Sequence, residues 1–202
     1  MLSIHLVTAR LCDITPMPAP DGLLEYVVAS NGLFVRAESS RLRAVVPIAP
    51  AQCAGLYPLV PFVQLKTPRI PAAYLTSVWQ SALNAMPNEA AYQFIYDDVD
   101  PVPWRCLKPD QTAGVGFVKY ANHPDAVIDL HSHGALPAYF SDTDNGDEQG
   151  LRFYVVIGNL GEAHSAIRCR VGVYGHHWDV RASTLFSGPG PFTEICNETA
   201  IN

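Results

Sequence analysis

The chain has 202 residues, 49% hydrophobic and 16% charged, a globular composition long enough to bury about 70% of the surface an unfolded chain exposes. Its 13 basic residues are scattered among 19 acidic ones for a net charge of −6, which excludes nucleic acid as the main partner. Cys12, Cys53, Cys106, Cys169 and Cys196 are odd in number and lack CxxC spacing, so a reducing, cytoplasmic setting is expected rather than a disulfide framework or a cysteine zinc knot.

Arg10, Asp13 and Asp21 interrupt the only early apolar stretch, and 18 apolar residues never run together, so neither a leader nor a membrane span is expected. Residues 1 to about 70 are rich in β-formers and proline. Tyr26-Val27-Val28 and Leu33-Phe34-Val35 flank Asn31-Gly32, a hairpin signal, and a strand over 42–48 follows. Pro47, Pro50, Pro58, Pro61, Pro68 and Pro71 recur too often for a long helix or a central strand. The expectation is a β-hairpin module with a proline-stiffened connection, followed by a second domain over 71–202. His5 is the only histidine of this module, which is expected to shape a partner-binding surface rather than supply ligands.

From Pro71 the pattern becomes helical, with Tyr74, Leu75, Val78, Trp79 and Leu83 on one face up to Met86-Pro87. Strand candidates are 91–96, 115–120, 126–130, 151–157 and 167–174, with a short helix after Ser141, so the fold class is α+β. Asp97-Asp98-Val99-Asp100 reads as a solvated turn, His176-His177 as a turn between two late strands, Trp79 and Trp104 as core, and the cysteines as small buried hydrophobes.

The chemistry lies at the end of the third of these strands. Val127-Ile128-Asp129-Leu130 delivers His131 and His133, which a side-chain period of two projects from one face. After seven intervening residues Ser141-Asp142-Thr143-Asp144 offers an N-cap and, on the first helical turn, a carboxylate. Alone, HxH is ordinarily a hydrogen-bonded surface pair and SxxD a helix start. Together they make two imidazoles and one carboxylate, a catalytic zinc set with a fourth position left to water. Such a water needs a general base, and Glu89, opening the strand over 91–96, is the candidate. By itself Glu89 reads as a solvent-facing charge.

His131-Ser132-His133, seven residues, then Ser141-Asp142-Thr143-Asp144, with Glu89 upstream after a helix, resembles the JAMM (JAB/MPN-type) metallo-isopeptidase family over about residues 71–180. The resemblance implies a cytidine-deaminase-like fold, a mixed and mainly antiparallel sheet flanked by helices. It makes His131, His133 and Asp144 zinc ligands and Glu89 the acid/base that moves a proton from zinc-bound water to the leaving amine. It has Ser141 hydrogen-bond the oxyanion or the attacking water. The implied substrate is a protein or peptide cut at a peptide or isopeptide bond, next to a ubiquitin-like C-terminus. Three departures leave the ligands intact and bear on the substrate groove: Gly134 and Phe140 stand where proline is common, and Ala90-Ala91-Tyr92-Gln93-Phe94-Ile95 replaces a Gly-Leu-Leu type of strand. The whole-chain pattern, with Pro68-Arg69-Ile70-Pro71 and Arg170-Val171-Gly172-Val173-Tyr174-Gly175, is similar to a bacterial PRTRC-cassette family, which implies a ThiF-like, E1-related protein as partner.

Two other readings compete. Asp129-Leu130-His131-Ser132-His133 also resembles the opening of PHP-type phosphoesterases, but only 69 residues follow His133, with His164, His176 and His177 the remaining histidines, too little for a metal-binding barrel. A catalytically silent MPN-type scaffold would generally have lost a ligand, whereas all three are present.

Overall fold

The computed structural model of the chain describes residues 6–196, so His5 and residues 197–202 lie outside the described part. The N-terminal strands β1 (Leu6–Ala9), β2 (Glu25–Ala29), β3 (Gly32–Glu38), β4 (Leu42–Pro50) and β5 (Phe62–Leu65) lie side by side in that order, antiparallel except for the parallel pair β1 and β2. The expected hairpin is thus the centre of a five-stranded sheet. Its loop is Ser30-Asn31 rather than Asn31-Gly32, because Gly32 pairs with Ala29. A Cβ on Gly32 would stand 2.6 Å from the Ala49 carbonyl oxygen, which is why glycine enters the ladder. Asn31 is left to hold the Leu59 loop, donating to the Leu59 carbonyl at 3.0 Å and accepting from its N–H at 2.9 Å.

The prolines do not keep β4 from being an inner strand. β5 pairs only with residues 42–45, so Pro47 and Pro50 border β3 alone and their missing N–H groups deprive no second neighbour.

Next comes α1 (Ala72–Ala85), whose Leu75, Val78 and Ala82 are buried at helical spacing. Burying Leu75 and Val78 contributes about 1.5–3 kcal/mol each. Pro71 caps the helix without a side-chain acceptor, and the Ala72 N–H donates instead to Ser187 Oγ at 3.0 Å. The remaining elements are β6 (Ala91–Tyr96), β7 (Trp104–Leu107), β8 (Gln111–Gly114), β9 (Phe117–Tyr120), β10 (Ala126–Ser132), α2 (Asp142–Asp147), β11 (Leu151–Gly158), β12 (Ser165–Val173), β13 (His176–Val180), α3 (Ala182–Leu185) and β14 (Phe192–Glu194). The main sheet runs β13-β12-β11-β10-β6-β7 with β14 beside β12, and only the β10–β11 and β12–β14 pairs are parallel. The fold is therefore the mixed, mainly antiparallel α+β arrangement expected.

Three further details differ from expectation. The strand at 117–120 leaves the main sheet and pairs with β8 as a separate hairpin, because it offers no buried face of its own: Phe117 is 45% exposed. His176 and His177 open β13, and the turn before them is Tyr174-Gly175, where both residues have positive φ. Of the cysteines only Cys169 is buried; Cys12 is exposed and the others, all free, are half-buried.

The main sheet has two unlike faces. Tyr92, Phe94, Ile128, Leu130, Phe153, Val155, Ile167, Cys169 and Val171 face one core that also receives α1 and the inner face of the N-terminal sheet through Val35, Ala37, Ala44, Val46 and Val63. Across the same junction Tyr26 Oη and His176 Nε2 share a hydrogen bond of 2.9 Å. The opposite face presents Gln93, Asp129, His131, Tyr154 and Arg170, and the β8–β9 hairpin and the 134–150 segment cover it. No helix among the described residues is long and apolar enough to cross a membrane.

The 134–140 segment rides directly on β11. The Asn159 N–H reaches the Leu136 carbonyl at 2.7 Å, and a Cβ on Gly158 would meet the Leu136, Pro137 and Ala138 backbone at 2.4–2.6 Å. Gly158→Ala should therefore destabilise the fold by about 1–3 kcal/mol, read as a lower midpoint in urea unfolding; an unchanged midpoint would show that the segment yields freely.

Candidate metal centre

The register of the sheet builds the centre. His131 pairs with Ala91 in the antiparallel β10–β6 ladder, so the same register extended by two residues sets Glu89 opposite His133. Ser132 locks that extension: its N–H donates to the Ala90 carbonyl and its hydroxyl accepts from the Ala90 N–H, both at 2.9 Å, and Ser132 is fully buried. Gln111 in β8 accepts from the Ala91 N–H at 2.7 Å, and the Glu89 N–H donates to the Gly114 carbonyl at 3.0 Å. The hairpin therefore clamps the strand start that carries Glu89.

His131 and His133 approach through their Nε2 atoms, 3.1 Å apart. His133 Nδ1–H donates to the Pro137 carbonyl at 3.1 Å, which leaves its Nε2 lone pair turned inward. Gly134 makes the return possible. Its φ of 57° is open to glycine and closed to the proline common at that place, so this departure from the family pattern has a backbone cause.

The third donor arrives on α2. Ser141 is its N-cap and forms a capping box with Asp144. The Ser141 N–H and hydroxyl both donate to Asp144 Oδ2, at 2.6 and 2.7 Å, which leaves Oδ1 to face His131 Nε2 at 3.3 Å. In a tetrahedral zinc site, bonds of about 2.0–2.1 Å imply ligand-to-ligand edges of roughly 3.3–3.4 Å. Two of the three edges here, 3.1 and 3.3 Å, lie close to that span, and all three donors fall within 4.8 Å of one another. The donor set fits zinc. Among the described residues these three form the one such group, and His176 and His177 are engaged elsewhere, by Tyr26 and the Glu148 carbonyl.

Electrostatics agree with ligation. Burial lowers the pKa of both His131 and His133, which keeps the imidazoles neutral and able to bind a cation. Glu89, 7% exposed, is pushed up to about 7, by burial first and by the Asp144 charge second. These residues line one cleft of about 600 Å³, roofed by β9 and bordered by Leu136 and Tyr139. Deeper in it Asp129 accepts from the Tyr120 hydroxyl at 2.6 Å and Glu148 from Arg170 Nε at 2.6 Å.

All five expected site residues, Glu89, His131, His133, Ser141 and Asp144, thus border one cleft. Ser141 meets Asp144 with its hydroxyl, so it orients that carboxylate. Gln111, Tyr120 and Glu148 were not signalled by motif or spacing, and the patterns that contain Ser132 and Arg170 do not assign them these contacts, since the partners lie 9 to 42 residues away.

The family described as prokaryotic homologs of the JAB domain matches residues 71–170, from the N-cap of α1 into β12, the stretch that holds all of these groups. No curated protein matches the chain.

The raised Glu89 pKa sets a stability test on metal-free protein. A carboxyl raised in the fold from its ordinary 4.5 to about 7 favours the folded state at low pH, and that contribution is lost as pH climbs through 7. Glu89→Gln should then melt at a higher temperature than the unaltered protein at pH 8, with the gap closing towards pH 4.5. A gap independent of pH would mean that Glu89 is not held in this environment.

Proposed function

Starting from residues 71–170 as a domain of the prokaryotic JAB-homolog family, we propose that the chain is a zinc-dependent hydrolase that cuts a peptide or isopeptide bond. The observation that carries this reading is the closure of two imidazoles and one carboxylate, at 3.1 and 3.3 Å, in the cleft that also holds Glu89. Zinc bound there would polarise the scissile carbonyl and acidify a water.

His131, His133 and Asp144 would hold the metal, and Pro137 and Ser141 engage His133 Nδ1 and Asp144 Oδ2, which leaves His133 Nε2 and Asp144 Oδ1 for that task. Glu89, with its carboxyl near 7, takes the proton of the attacking water and passes it to the amine nitrogen as the C–N bond breaks. Ser141 stands on the cleft wall, where turning its hydroxyl from Asp144 would present it to the tetrahedral oxyanion at the cost of the 2.7 Å bond. The apolar rim of Phe117, Leu136 and Tyr139 suits an extended peptide, and the substrate class we assign is a protein tail next to a ubiquitin-like C-terminus. In that setting a ThiF-like, E1-related protein is the partner, and residues 1–70 supply its docking surface.

Zinc content and turnover of a peptide-amide or ubiquitin-like conjugate test the roles separately. His131→Ala should lose the metal. Glu89→Gln should keep it while turnover falls by about 10²–10⁴-fold. Zinc lost from Glu89→Gln would make that residue a ligand instead of a base, and unaltered protein that takes up no zinc would return the chain to a silent scaffold.

A further inference from the structure

Asp144 stands on the least anchored element of the site. α2 has six residues, too few to be stable by its own hydrogen bonds, and none of them is buried. The capping box fixes its start. Its end is fixed from β12: Arg170, 5% exposed, donates from Nε to Glu148 Oε2 at 2.6 Å and from Nη1 to Asn145 Oδ1 at 2.7 Å. Glu148 is the C-cap, and its N–H donates to the Asp144 carbonyl at 2.9 Å. On the other side of α2 the Phe140 ring lies 3.8 Å from the Arg170 guanidinium carbon. One buried guanidinium therefore grips the chain both before and after Asp144. Its planar fork and its face do this together, which an ammonium could not. Phe140 and Arg170 are thus in direct contact at the start of α2.

From this we infer that Arg170 is a positioning residue of the metal centre, holding Asp144 Oδ1 at ligand distance through α2. The inference rests on the zinc reading of His131, His133 and Asp144, and it assigns to β12 a role that the motif residues do not contain. Partners outside the ligand shell that orient a ligand typically change metal affinity by about 10–100-fold.

The test uses the full chain. Zinc affinity by chelator competition and the visible spectrum of the cobalt-substituted protein, which reports coordination geometry, are compared for the unaltered protein, Arg170→Gln, Arg170→Lys, Asn145→Ala and Asp144→Ala. Arg170→Gln should bind zinc about 10–100-fold more weakly, with its cobalt spectrum moved towards that of Asp144→Ala. Arg170→Lys, keeping a charge but not the fork, should fall between. Asn145 is exposed, so Asn145→Ala leaves the fold intact and should show a smaller loss of the same sign; it decides the matter if Arg170→Gln does not fold. Arg170→Gln or Asn145→Ala with unaltered zinc affinity and cobalt spectrum would overturn the inference while leaving the zinc reading standing. An unaltered chain that binds no zinc would overturn both.

Discussion

All seven residues of β10 are buried, between antiparallel β6 and parallel β11. That pairing fills the backbone hydrogen bonds of the strand and fixes its register, and everything at the site follows from the register. Ile128 and Leu130 go to the core, while Asp129 and His131 go to the cleft. A slip by one residue would exchange the sets and bury an aspartate and a histidine among Phe94, Phe153 and Val155. The same register, carried past the strand ends, sets Glu89 against His133. Sheet pairing thus brings one carboxyl and two imidazoles together.

The cleft face then has to satisfy many buried polar groups at once. Burial raises the pKa of Asp129, and of Glu148 to about 8, even though Tyr120, Arg152 and Arg170 oppose the shift. A buried polar group left without its partner costs about 1–3 kcal/mol, more when charged. The residues answering Asp129 and Glu148 lie on β9, β11 and β12, and so the hairpin, α2 and the main sheet are tied together by the same bonds that line the cleft. Ordering of the cleft side chains and solvation of the buried acids are one arrangement here.

Much of this was legible in the residues. The HxH pair declares itself because strand alternation is local, SxxD because a capping box spans three residues, and α1 because Tyr74, Leu75, Val78, Trp79 and Leu83 recur at helical spacing. Less was legible where distant partners decide. The prolines of β4 looked prohibitive until the short reach of β5 excused them. Residues 117–120 alternate like a sheet strand but pair only with β8, and His176-His177 resembled a turn because Tyr174-Gly175 lies just before it. Nothing in the Arg170-to-Gly175 stretch itself assigns Arg170 a place at the site. The meaning of Arg170 depends on Phe140, Asn145 and Glu148, which come 22 to 30 residues earlier and fall beside it only after the sheet has formed.

The shared core beneath α1 has a bearing on how binding events communicate. Val35, Ala44 and Val46 of the N-terminal sheet pack into the same apolar cluster as Ile128 and Leu130, the inward neighbours of Asp129 and His131. Two sheets that bury their faces in one cluster each lose buried apolar surface when the other unfolds, which couples their stabilities. Any partner that grips the outer face of the N-terminal sheet, or any metal gripped by the cleft, then draws on the same folding equilibrium. Occupancy at one end is registered as resistance to unfolding at the other, with no moving part between them.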